Sequence, residues 1–329
     1  MYRVSVLVKN LDSNSEELNF AKFKLKKITE DDDDLFQKAR NVLFPGKADK
    51  CDYIYERNYT AIGSNLLSII IKDIEDALFL LRLFKVGDLG FLSPCIHKPD
   101  GTLLRQFPYR IMTDICPFIE YEIQDDECSK FDNFVSNIMS QNNQQSWNSP
   151  WFQTARRFFL YGSSKEFNPI HNDVDRIVDY MVTMESILVP ESNFIGSRLR
   201  KRAASLLRRY NICQGETEDL LKSFYNLRSK IVHGDIIFSK KNNNILDKSN
   251  VRKFEKIIRD VIIISILAMP ENDNNRKKYL KNLFDINDDD RAKKIKEDFR
   301  AIKDTEKRNE VSDFITKHIG KPLRSKTEN

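Results

Sequence analysis

Arg3–Lys9 (RVSVLVK) alternates polar and apolar residues with a period of two, the pattern of a half-buried strand. Asn19–Ile28 (NFAKFKLKKI) alternates as well, with lysines between Phe20, Phe23 and Leu25, and predicts a second extended stretch. Asp31–Asp34 is an acidic run ahead of Leu35–Leu43; it suits a helix N-terminus and carries no binding role. Asn65–Phe84 predicts a strand over Leu66–Ile71 passing into a helix, because Ala77, Leu78, Leu80, Leu81 and Phe84 recur at helical spacing. Val86–Phe91, with two glycines, closes that helix and leads into another extended piece. Leu103–Glu122 reads as extended, broken by Pro108 and Pro117. The polar Ser140–Pro150 (SQNNQQSWNSP) predicts a linker and a domain boundary.

Beyond it the period changes to that of helices. Pro150 and Trp151 open a first helix ending near Leu160. A second runs from a cap at Asn172 or Asp173 to Val189, where Pro190 stops it. The third spans Ser192–Arg209, the fourth starts near Thr217 and ends at Gly234, and the fifth runs from Asn250 to Met269 before Pro270. Short helices are expected at Arg276–Leu283 and Ala292–Ile302 in a lysine-rich tail that frays over Gly320–Asn329. The predicted class is α+β: a mixed α and β domain over 1–139, a linker at 140–150, a helical bundle over 151–270 and a tail over 271–329.

Composition sharpens this picture at three points. Ten glycines and ten prolines in 329 residues are too few for a loop-rich, many-turned β fold. The net charge of +5 is unevenly spread, −5 over residues 1–150 and +10 over 151–329, which points the helical half towards a polyanion. The five cysteines are odd in number and lack CxxC spacing, which argues against a disulfide framework or zinc knuckle. Met1–Asn10 reads as a strand, not as the apolar core of a signal peptide, and Val261–Met269 is too short to span a bilayer. A cytoplasmic protein without a membrane partner is expected.

Chemistry concentrates in the fourth helix. Leu220, Phe224, Leu227 and Ile231 form its core stripe, leaving Arg228 and His233 at its C-terminal end. Five residues apart, they diverge by about 140° on an ideal helix, unless the chain turns at Gly234. Histidine moves protons near neutral pH, and arginine grips phosphate through a fork of donors. Together they suit RNA cleavage, in which a 2′-hydroxyl loses a proton while charge builds on the phosphorus oxygens. No metal or other cofactor is called for, and the four histidines (His97, His171, His233, His318) are far apart in sequence.

Leu227–Gly234 (LRSKIVHG) resembles the HEPN signature, an Arg followed by a His after four to six residues, in its Tyr-x-x-Arg-Ser-x-x-Val-His-Gly form. That form, with Met184–Pro190 (MESILVP) and Arg198–Leu207 (RLRKRAASLL), is similar to Apea-like HEPN domains over roughly residues 145–270. The resemblance implies a four- or five-helix bundle that forms a homodimer, with both motifs meeting across the interface. It implies a metal-independent endoribonuclease in which Arg228 binds phosphate, His233 transfers protons and Ser229 orients substrate or histidine. The products would be a 2′,3′-cyclic phosphate and a 5′-hydroxyl. Toxin and anti-phage settings follow, with an antitoxin or trigger protein as partner, and the first domain as sensor. Many such domains are instead non-catalytic dimerisation adaptors, and nucleotide sensing through Arg228 is a further alternative.

Each candidate also has a plainer reading. Arg228 and His233 suit capping of helix-end carbonyls. Glu185 suits either a partner that tunes Arg228 or a bundle salt bridge. Arg198, Arg200, Lys201 and Arg202, with Arg208 and Arg209, suit an RNA-backbone track or a solvated face. Tyr225 suits the cleft edge or the core, and Trp151, Phe158, Phe159 and Tyr161 suit base stacking or packing, packing being the commoner use at helical spacing.

Overall fold

The computed structural model describes residues 1–29, 52–60, 66–87, 89–106, 110–111, 121–140, 143–162, 172–212, 216–233, 248–270, 272–285, 309 and 313–316. An antiparallel sheet region with a helix precedes a largely helical region, so the class is α+β. The chain forms two compact units, the first built mainly on Met1–Val135 and the second on Ser136–Gly162 and Asp173–Asn329.

In the first unit the strands are β1 (Tyr2–Lys9), β2 (Leu11–Asp12), β3 (Glu17–Asn19), β4 (Lys24–Lys27), β5 (Tyr53–Tyr59), β6 (Gly90–His97), β7 (Leu103–Gln106), β8 (Arg110–Ile111) and β9 (Tyr121–Glu122). The main sheet runs β3-β4-β5-β1-β6-β7, with β8 beside β6, and β2 pairs separately with β9 in parallel. β1 is central: Val6 faces Tyr55 of β5, and Val4 faces Ile96 of β6. The helix α1 (Leu66–Phe84) and most of α2 (Cys128–Ile138) complete the unit, whose boundary after Val135 falls within α2. Phe84 of α1 and Phe131 of α2 meet edge to face at 5.5 Å. Phe20 and Phe23 join Phe131 in the same aromatic cluster.

Two expectations for this unit are corrected. Asn19–Ile28 is not one strand, because β3 ends at Asn19 and β4 begins at Lys24. The Phe20 N–H donates to the Phe23 carbonyl at 3.0 Å, closing a turn that brings the two rings to 4.7 Å. Leu66–Ile71 is helical from its first residue. Ile70 and Ile74 are fully buried one turn apart while Ile69 is exposed, a pattern that a continuous apolar run does not reveal in sequence.

The second unit contains α3 (Gln144–Asn148), α4 (Pro150–Tyr161), α5 (Asn172–Leu188), α6 (Ile195–Arg209), α7 (Glu216–Val232), α8 (Lys248–Ala268) and α9 (Asp273–Asp285). Ser149 caps α4 by accepting from the Phe152 N–H, with Pro150 in the first turn, where its missing donor costs nothing. α8 is the apolar spine: Phe254, Ile258, Val261, Ile262 and Ile264 are fully buried. Phe224 of α7 stacks on Phe254 at 4.2 Å, and Tyr180 of α5 reaches the same ring at 6.1 Å.

Here too the structure revises the expectation. The stretch expected as a linker contains α3, and Trp147 within it is buried with the Arg156 guanidinium 5.5 Å from its ring. Nor does the bundle stop at Pro270. α9 buries Leu280 and Leu283 and packs on α6, while Arg276 reaches back to the Ser186 and Ile187 carbonyls of α5. The expected helices at 35–43 and 292–302 and the frayed end at 320–329 lie outside the described residues. No described helix is long and apolar enough to cross a membrane.

Candidate functional site

The site is built on the end of α7. Leu221, Phe224 and Leu227 are buried, which turns one side of the helix into the core. At 100° per residue, Arg228 falls on the same side between Leu221 and Phe224, Tyr225 and Ser229 lie further round, and His233 points almost directly away from it. The structure agrees: Arg228, Ser229 and Tyr225 are half-buried and His233 is exposed. α7 ends at Val232, yet the His233 N–H still donates to the Ser229 carbonyl at 3.1 Å, so helical geometry carries through the histidine. Ser229 and His233 are therefore one turn apart on one face, and Arg228 diverges from them. The turn expected at Gly234 lies outside the described residues.

Glu185, near the end of α5, meets Arg228. A guanidinium nitrogen donates to Glu185 Oε2 at 3.3 Å, and the two side chains are only 22% and 17% exposed. Burial pushes the Glu185 carboxyl above the ordinary carboxylate range, and the Arg228 charge pulls it only part of the way back. Glu185 Oε1 and Arg228 Nε are buried with no hydrogen-bond partner among the described residues. The pair thus holds a cation in place while leaving a donor and an acceptor unmatched.

α6 packs along α7. Gly196, in its first turn, lies so close to Tyr225 that an added Cβ would fall 2.2 Å from the ring. Only glycine admits the ring there, and Tyr225 in turn fixes how the start of α6 sits against α7.

The basic block of α6 divides. Arg202 does not belong to an RNA-facing track. Its side chain is 2% exposed, donates to the Leu188 carbonyl, and forks onto both Glu191 oxygens at 2.7 and 2.9 Å. Those bonds hold the Glu191 carboxyl below its usual range and tie the α5 end to α6. Arg198, Arg200 and Lys201 are half-exposed; Arg200 Nε donates to the Gly196 carbonyl at 3.1 Å, and Arg198 lies 3.8 Å from Glu191. Of the aromatic residues weighed for stacking, Trp151 and Phe159 are buried, Phe159 against Tyr180 at 5.8 Å, while Tyr161 is exposed.

His97 is buried on β6, and His171 and His318 lie outside the described residues. Among the described residues, no three His, Cys, Asp or Glu gather so as to hold a metal ion. Burial pushes the Cys95 and Cys128 thiols up to about 12 and about 11, so neither is a reactive thiolate at neutral pH.

Three residues escaped the sequence reading: Glu191, Phe194 and Gly196. Their signal was the polar break Pro190–Asn193 ahead of Phe194, which ended one helix without showing what the loop would hold.

Compared with known proteins, the chain matches no family model, no curated protein and no solved structure.

Proposed function

We propose that this chain is a metal-independent HEPN-type endoribonuclease that works as a homodimer on RNA, in a toxin or anti-phage setting. One observation carries the reading: the end of α7 keeps His233 open to solvent one turn from Ser229, with the half-buried Arg228 held in place by Glu185. His233 takes the proton of a ribose 2′-hydroxyl, and the oxygen attacks the adjacent phosphorus. Arg228 neutralises the charge growing on the phosphorus oxygens. The departing 5′-oxygen takes up a proton, which the His233 imidazolium returns directly or through water, giving a 2′,3′-cyclic phosphate and a 5′-hydroxyl.

The divergence of Arg228 and His233 on one helix is the reason for the dimer. Val232, 53% exposed, lies on the arc between them and offers an apolar contact for a second copy. Pairing two α7 ends would place one chain's arginine near the other's histidine. An antitoxin or trigger protein would act on this same exposed end.

The test is cleavage of total RNA by the purified full chain. Loss of cutting in both Arg228→Ala and His233→Ala, with helicity and dimerisation retained, is the expected result. Since Arg228→Ala strands the Glu185 carboxylate, an Arg228→Ala/Glu185→Gln double variant controls for misfolding. Cutting that survives in His233→Ala would end the proposal.

A non-catalytic adaptor is the second reading, and the Arg228–Glu185 pair favours it, because an ion pair joining α5 to α7 can serve the bundle alone. It expects dimerisation without His233-dependent toxicity in growing cells.

A further inference from the structure

We propose that Phe194 and Arg198 form a stacking platform for an unpaired base of single-stranded RNA beside the α7 site, a step that rests on the nuclease reading above. Phe194 closes the loop between α5 and α6. Its backbone is left-handed, with φ 51° and ψ 34°, a conformation that bulky residues rarely hold. Its side chain is 76% exposed. The chain thus maintains two unfavourable features at one residue, a strained backbone and an aromatic ring in water. Strain that persists in this way clusters at ligand-holding sites.

The ring is not left loose. The Arg198 guanidinium carbon lies 6.0 Å from its centroid, within cation–π range. Arg198 is itself anchored by the Asn193 side-chain oxygen and the nearby Glu191 carboxylate. Ring and cation are therefore pre-arranged, which lowers the ordering cost of binding a flat partner.

Charge and position select the partner. Apart from the inward-facing Arg202, α6 carries five basic residues and no acidic one, and Arg200 and Lys201 stand half-exposed next to Arg198. A polyanion suits this helix. Phe194 is two residues from Gly196, hence within about 8 Å of it along the backbone, and Gly196 touches Tyr225 on the functional helix. A base on Phe194 would belong to a nucleotide near the one being cut. Duplex bases are already stacked on each other, so an exposed ring backed by an anchored guanidinium selects a splayed, single-stranded base. A second copy of the chain fits less well. Ser192 and Asn193 are exposed, and Glu191 and Arg198 are charged, whereas cores of protein interfaces are depleted in charge.

The experiment measures binding by the full chain carrying His233→Ala, so that no cutting intervenes. The probes are a labelled, unstructured RNA of about 12 nucleotides and the same strand annealed to its complement. Phe194→Ala is expected to weaken single-strand binding about tenfold, Phe194→Trp to preserve it, and duplex affinity to stay unchanged in both. Equal single-strand affinity in Phe194→Ala overturns the platform. So does an equal loss on both probes, or a loss of dimer with RNA affinity intact, which would make Phe194 a contact between copies. Cleavage by the chain with His233 intact separates the two claims. His233-dependent cutting beside an indifferent Phe194→Ala leaves the nuclease and removes the platform. Phe194-dependent single-strand binding without such cutting does the reverse.

Discussion

Glu185 is the residue whose chemistry is most exposed to experiment. Its carboxyl is raised by burial more than Arg228 lowers it, so the native chain takes up a proton before the unfolded chain does. The resulting stability is fully present below the ordinary carboxylate pKa and is lost as pH rises through the raised value. Glu185→Gln removes that loss. The variant is expected to unfold at higher urea than the parent at about pH 7, with the gap closing at about pH 4. A gap that widens on acidification would show Arg228, not burial, to be in control. Phe194 makes the opposite bargain. Phe194→Gly should stabilise the fold by about 1 kcal/mol, because glycine holds a left-handed backbone without strain. The same change should cost single-strand RNA affinity, and thermal unfolding beside the binding assay reads both.

At the scale of elements, the α5–α6 corner is set by Arg202. It spans the Leu188 carbonyl at the end of α5 and the Glu191 carboxylate in the loop. Glu191 is exposed enough to be solvated if left alone, but the carbonyl is not so easily served. Arg202→Ala is expected to cost about 2 kcal/mol in denaturant unfolding. RNA affinity per folded molecule should not change. A selective loss of RNA binding with stability intact would return Arg202 to the basic track from which its burial removes it. The helix that carries Arg228 was legible in sequence from its apolar stripe, although Leu221 and not the expected Leu220 is the buried leucine of its first turns. The corner was not, since neighbouring arginines on α6 look alike until the fold turns one inward.

For the whole molecule, charge is the property that matters to a polyanion. If Arg198, Arg200 and Lys201 neutralise phosphates, replacing all three with Gln should lower the salt dependence of single-strand binding by a slope of about 2. An unchanged slope would make them a solvated face.

The apolar periods of the chain determined its α+β order, the longer helices of its second unit and the placing of Arg228 and His233 at a helix end, because burial of a repeating stripe is a local rule. Tertiary structure alone decided which charges face inward, as with Arg202, and that Glu185 meets Arg228 across 43 residues. It also decided that Tyr225 rests on Gly196 and that Phe194 stands in solvent in a left-handed backbone. Such pairings join residues distant in sequence, and they depend on how helices pack, which no single helix's pattern encodes.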